Sequence, residues 1–126
     1  MTQPLTSPLT LCLFLLSGWG VVALAGLIRP ASVAFAGRTL FPLGAIFGVA
    51  LACVTATSFS APAEQIVLTV GLPDLPVHLR LDALSRAFLF LLGTVVAGIS
   101  IFAAGYFRQG EGTAPGLLCL QYHLFV

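Results

Sequence analysis

Three runs of uncharged residues, each long enough to cross a bilayer, decide what this chain can become. Residues 9–28, 40–60 and 87–107 hold 20, 21 and 21 residues without an Asp, Glu, Lys or Arg among them. At about 1.5 Å of rise per residue, such a run spans roughly 30 Å, the thickness of the hydrocarbon core. The whole chain has 126 residues, 59% of them apolar and only 7% charged. A soluble fold could not cover its core with five Arg, no Lys and four acidic residues. A nucleic-acid-binding role is excluded as well, because a net charge of +1 offers no basic stripe to phosphates. The expected fold class is an all-α integral membrane protein, with the lipid bilayer as its first partner. It has three full transmembrane helices, a truncated fourth over residues 116–126 and an extramembrane hairpin over residues 66–81.

The first run begins after Ser7-Pro8 and stops at Arg29-Pro30, residues suited to starting and ending a helix. A cleaved signal peptide is disfavoured, because the start of the chain carries no Lys or Arg. The run also exceeds the usual 7–15-residue apolar core of such signals. In the second run Gly44, Gly48, Ala52, Ala56 and Ser60 recur every fourth residue. On a helix they form a stripe of small side chains that lets a neighbour approach closely in lipid. The third run repeats the theme with Gly93 and Ala97, then Ser100 and Ala104, and closes on Tyr106-Phe107-Arg108. The fourth stretch, 11 residues ending Tyr122-His123-Leu124-Phe125-Val126, reaches only about 16 Å as a helix and reads as a partial span.

The segment between the second and third spans has another character. Residues 66–70 and 77–81 are rich in branched side chains, and the turn-forming residues 71–76 lie between them. The alternation around Leu79 places His78 and Arg80 on one face. The expected β-hairpin turns that face to water and lays its apolar face on the helix ends. Arg29 and Arg38 in the first connection favour a cytoplasmic loop there, which sets the amino terminus and the hairpin outside and Arg108 inside.

Candidate chemistry is sparse. None of the three full runs carries an ionisable Asp, Glu, Lys, Arg or His, so a proton path would find only Ser, Thr and Cys there. Those hydroxyls are expected to bond their own helical carbonyls. Asp82 and Arg86 stand one helical turn apart before the third span. They can form an interfacial charge pair, or Asp82 can cap the helix with Arg86 as its i,i+4 partner. His78 has no second metal ligand beside it, and His123 falls in the partial fourth stretch, where a His at depth could relay protons. Cys12, Cys53 and Cys119 lie far apart in sequence and match no metal or disulfide framework. No phosphate-binding loop, zinc-protease motif or nucleophile elbow occurs. The residues imply no catalytic site, no metal and no cofactor.

The stretch GLPDLPVHLRLDALSRAFLFLLGTVVAGISIFAAGYFRQGEG resembles the amino-terminal part of the proton-translocating, antiporter-like membrane subunits shared by respiratory complex I and the Mrp cation/proton antiporters. Within that group it looks most like the antiporter-like membrane subunit of hydrogenase-4. Leu79 to Ser85, which introduce the third run, carry the likeness, together with Tyr106-Phe107-Arg108 and Tyr122-His123-Leu124-Phe125. Residues 66–126 follow the pattern, while the first two spans match by hydropathy alone. His123 departs from it, since the family often has Asn or another residue there. The resemblance implies a many-helix subunit in the plasma membrane, tied to other membrane subunits of a hydrogenase or complex I-type assembly. In that family a Glu and several Lys of later helices carry protons, and none of those residues has a counterpart in this chain. The expectation is therefore the amino-terminal part of such a subunit, non-pumping as it stands. The rivals are a small structural membrane protein that anchors a complex through its small-residue stripe, and part of an Mrp-type antiporter subunit.

Overall fold

A computed structural model describes residues 7–29, 31–72, 75–108 and 115–125. Helix α1 (Pro8–Ala25) opens on Ser7, whose hydroxyl accepts the Thr10 N–H at 3.3 Å, with Pro8 in the first turn where its missing N–H costs nothing. It ends at Gly26, followed by a run of turns. The anticipated span over 9–28 is thus three residues shorter at its end.

The second span begins earlier than the uncharged run. A helical turn α2 (Val33–Phe35), a π-helical segment (Ala36–Leu40) and α3 (Phe41–Thr57) form one continuous path. Arg38 therefore lies inside the helix, with its side chain exposed, rather than in a connecting loop. Pro42 accounts for the π segment: it cannot donate to the carbonyl four residues back, and the Phe41 N–H reaches five back to Ala36 instead. The span stops at Thr57, so Ser60, the last member of the small-residue series, falls in the following turn and is exposed.

Strands β1 (Glu64–Leu72) and β2 (Leu75–Leu81) pair antiparallel, from Glu64 opposite Leu81 to Leu72 opposite Leu75, with an irregularity between Leu68 and Gly71. The strands run further than expected. Gly71, Leu72, Leu75 and Pro76 belong to the ladder instead of the turn, and Pro73 and Asp74 lie outside the described residues. His78 and Arg80 are exposed, while Leu81 is buried with Ile66 packed against the same cluster. Helix α4 (Ala83–Arg108) follows at once, and α5 (Pro115–Phe125) is the short last helix.

Helices α3 and α4 make the most intimate pair, α1 packs on α3, and α5 packs on α1. One core cluster joins Val22, Ala36, Leu40, Phe41, Ala104 and Cys119. A second joins Leu9, Cys12, Trp19, Leu51, Leu81 and Val96 nearer the hairpin. The outside is as apolar as the inside: Phe14, Ile46 and Phe102 are 75%, 63% and 74% exposed. Water would not tolerate such a surface, whereas lipid chains would. Among the described residues three helices are long and apolar enough to cross a membrane, and this exterior suits contact with lipid; a small two-stranded sheet stands beside them.

Candidate functional site

The small-residue stripe brings two neighbours close. A Cβ placed on Gly48 would stand 2.8 Å from the Gly93 carbonyl oxygen and 3.0 Å from the Ala97 nitrogen. One placed on Gly93 would stand 2.6 Å from the Gly48 oxygen and 2.9 Å from the Ala52 nitrogen. Gly48 and Ala52 thus form half of the α3–α4 crossing, and Gly93 and Ala97 form the other half. Gly44 serves a different partner: a Cβ there would meet His123 Nε2 at 2.5 Å and Ser100 Oγ at 3.2 Å. Ala56 is exposed and borders an open groove of about 210 Å³ with Val49, Cys53, Phe90 and Thr94.

His123 is the centre of the polar cluster inside the bundle. It is only 6% exposed, and its ring lies against Trp19, Phe41 and Tyr122, with centroids 6.4, 6.2 and 4.9 Å away. Nδ1 lies 2.8 Å from the Cys119 carbonyl oxygen, one turn back on α5. A carbonyl only accepts, so Nδ1 carries the hydrogen and Nε2 holds the lone pair of the neutral ring. Among the described residues Nε2 has no hydrogen-bond partner, and neither does the Trp19 indole N–H across from it. Tyr122 donates its hydroxyl hydrogen to the Val96 carbonyl at 3.1 Å and lies 3.4 Å from Ser100 Oγ. Ser17, Thr55, Thr57 and Thr94 bond carbonyls of their own helices, as hydroxyls in apolar helices usually do. Ser100 turns across to α5.

At the hairpin end the charges make separate contacts. Asp82 caps α4: its carboxylate accepts both the Ser85 N–H and the Ser85 hydroxyl at 2.9 Å. These hydrogen bonds, the backbone one foremost, hold the Asp82 carboxyl below its ordinary range, and Arg80 adds to the effect. Arg86 turns elsewhere. Only 1% exposed, its guanidinium donates to the carbonyls of Ala61, at 2.5 Å, and Pro62, at 2.8 Å. Asp82 and Arg86 meet through the backbone, Arg86 N–H to the Asp82 carbonyl, while their charged groups serve different partners. Glu64 accepts the Leu9 N–H at 2.9 Å and so satisfies a free donor at the start of α1. Among the described residues no three His, Cys, Asp or Glu gather where a metal could sit, and all three cysteines are free.

The sequence pattern offered Gly44, Gly48, Ala52 and Ala56 as packing positions; the first three lie close to other helices, and Ala56 is exposed. It did not reveal that Arg86 is buried, because the carbonyls that hold it lie 24 and 25 residues away. It also could not show that Gly44 and His123, 79 positions apart, meet. No family model, curated protein or solved structure matches the chain.

Proposed function

We propose that this chain is the amino-terminal part of a proton-translocating, antiporter-like membrane subunit of a hydrogenase-4 or complex I-type assembly, and that it does not pump alone. The observation behind this reading is the segment that carries the resemblance. Residues 75–108 run from the second hairpin strand through the Asp82 cap into a 26-residue apolar helix. The hairpin presents His78 and Arg80 outward, suited to contact with neighbouring subunits. The chain has no Lys, and the sequences of the three long apolar helices contain no Asp or Glu, so those helices supply no carboxylate to carry a proton. Its part is to scaffold and seal, with proton transfer left to other helices of the subunit. The reading sets the chain in the plasma membrane with the amino terminus and hairpin outside.

A self-contained structural protein that anchors a complex through its stripe fits less well, because Gly44, Gly48 and Ala52 are already occupied within the chain. Affinity isolation of the tagged chain from native membranes in mild detergent tests the proposal. Co-isolation of redox subunits bearing iron–sulfur clusters supports it. Isolation alone, or with small antiporter subunits, overturns it in favour of the structural or the Mrp-type reading.

A further inference from the structure

The imidazole that α5 brings into the bundle has room for one hydrogen and no provision for a second. Its Nδ1 is engaged by the Cys119 carbonyl, and its Nε2 faces the α-carbon of Gly44 and has no partner among the described residues. The polar groups around the ring are neutral: the Cys119 thiol, 3.4 Å from Nδ1, the Tyr122 and Ser100 hydroxyls, and the Trp19 N–H, itself a donor. None of the helices contains an Asp or Glu. The charged residues of the elements packed about α5 are all cations: Arg38 of the π segment, which is exposed, Arg86 of α4, held by two carbonyls, and Arg108 at the end of α4. Of the other titratable groups on those helices, Cys53 and Tyr106 are exposed, and Cys12 belongs to the cluster nearer the hairpin.

We infer that His123 is an acid-sensitive latch: α5 docks with the neutral ring, and protonation at Nε2 releases it. A hydrogen on Nε2 would set a donor and a full charge against the Gly44 backbone and a second donor, the Trp19 N–H, with no acceptor or carboxylate to meet them. An unpaired charge in an apolar interior is among the costliest groups to bury. The helix that can yield is α5, which is 11 residues long and tied across to α4 through the Tyr122 hydroxyl. Once released, the imidazole takes its proton near the ordinary histidine value of about 6.5. Docking is therefore at full strength above that pH and weakens about tenfold for each unit below it. The inference does not depend on the function proposed above.

The test is the accessibility of Cys119, which is fully buried while α5 is docked. The full chain in bilayer nanodiscs, open to both faces, is treated with 2,2′-dithiodipyridine, which attacks thiols in acid as well as at neutral pH. Each cysteine is followed by peptide mass spectrometry, with its rate referred to the same thiol in the denatured chain at that pH. Between pH 7.5 and 5 the Cys119 rate should rise about thirtyfold, while Cys12 stays protected. The emission of Trp19, the chain's one tryptophan, should change over the same range. His123→Gln should flatten both profiles, and His78→Gln, which removes the other histidine, should leave them intact. Should His123→Gln already label fast at pH 7.5, His123→Leu, neutral and apolar, takes its place. A flat profile in the wild type, an acid rise that persists without His123 or vanishes without His78, or a parallel rise at Cys12 would each overturn the proposal.

Discussion

Gly48 of α3 and Gly93 of α4 face each other backbone to backbone, so that a methyl group on either would press into the other's carbonyl oxygen. In lipid, where burial from water cannot draw helices together, such close approach is the main source of their attraction.

Gly48→Ala or Gly93→Ala should destabilise the bundle by about 1–3 kcal/mol, because the new methyl meets backbone that can move only with its helix. Gly98, on the same helix as Gly93, has nothing within 4 Å of its Cβ position. Gly98→Ala should be neutral or gain about 0.5–1 kcal/mol from helix preference. Thermal unfolding in detergent gives the comparison, and equal midpoints for Gly93→Ala and Gly98→Ala would contradict the crossing.

Gly44→Ala should displace His123 and loosen α5. Cys119, with 0% exposure, reports on that docking. In a chain carrying Cys53→Ser, its alkylation should rise roughly tenfold for ~1.4 kcal/mol of weakened docking. Adding His123→Ala should restore much of the protection, since the clash disappears with the ring. If the double variant labels as fast as Gly44→Ala alone, the two residues are not coupled.

Removing the Arg86 guanidinium leaves the carbonyls of Ala61 and Pro62 without their donor. Arg86→Met should cost at least about 2 kcal/mol. Arg86→Lys should recover only part of it, because one ammonium cannot span two carbonyls as a planar fork does. A lysine variant as stable as the parent chain would show that the two-pronged contact is unimportant.

Asp82 ties the start of α4 to pH. Its carboxyl titrates below the ordinary value of 3.8 in the folded chain, so its contribution is complete above that value. The contribution declines as pH falls toward the lowered folded value and is gone beneath it. Asp82→Asn should keep the cap and abolish this acid dependence, since an amide oxygen also accepts the Ser85 N–H. Hydrogen exchange at the first turn of α4 between pH 5 and 2 reads it out; unchanged acid dependence in the Asn variant would assign the effect to another group.

Reconstituted alone in vesicles, the chain should conduct no protons. A flux that vanishes on His123→Ala would instead make the buried imidazole a carrier, and the scaffold reading would fail.

Hydropathy made the three spans legible, because a bilayer demands long apolar runs whatever their packing. Their ends were less legible. Arg38 looked like a boundary, yet an arginine near a helix end can extend outward while the helix continues beneath it. The four-residue spacing of Gly44, Gly48 and Ala52 predicted close packing, since helical geometry puts such positions on one face. It could not say that Gly44 receives a ring from α5 while Ala56 is left on an open groove, because that choice depends on how α4 and α5 cross α3. Arg86 was legible only as a charge near Asp82. Its burial follows from the path of the chain after α3, which no local spacing encodes.

The 2.9 Å hydrogen bond from the Leu9 N–H to Glu64 also imposes a rule of parity. Two groups that touch cannot lie on opposite faces of a bilayer, so the chain must traverse it an even number of times between residues 9 and 64. Helix α1 and the Val33–Thr57 path, both long and apolar enough to cross, are the pair suited to those two traversals. Were either to fail to insert, the bond could not form. Sidedness reporters placed ahead of Ser7 and in the hairpin must therefore always agree, whichever way the whole molecule faces.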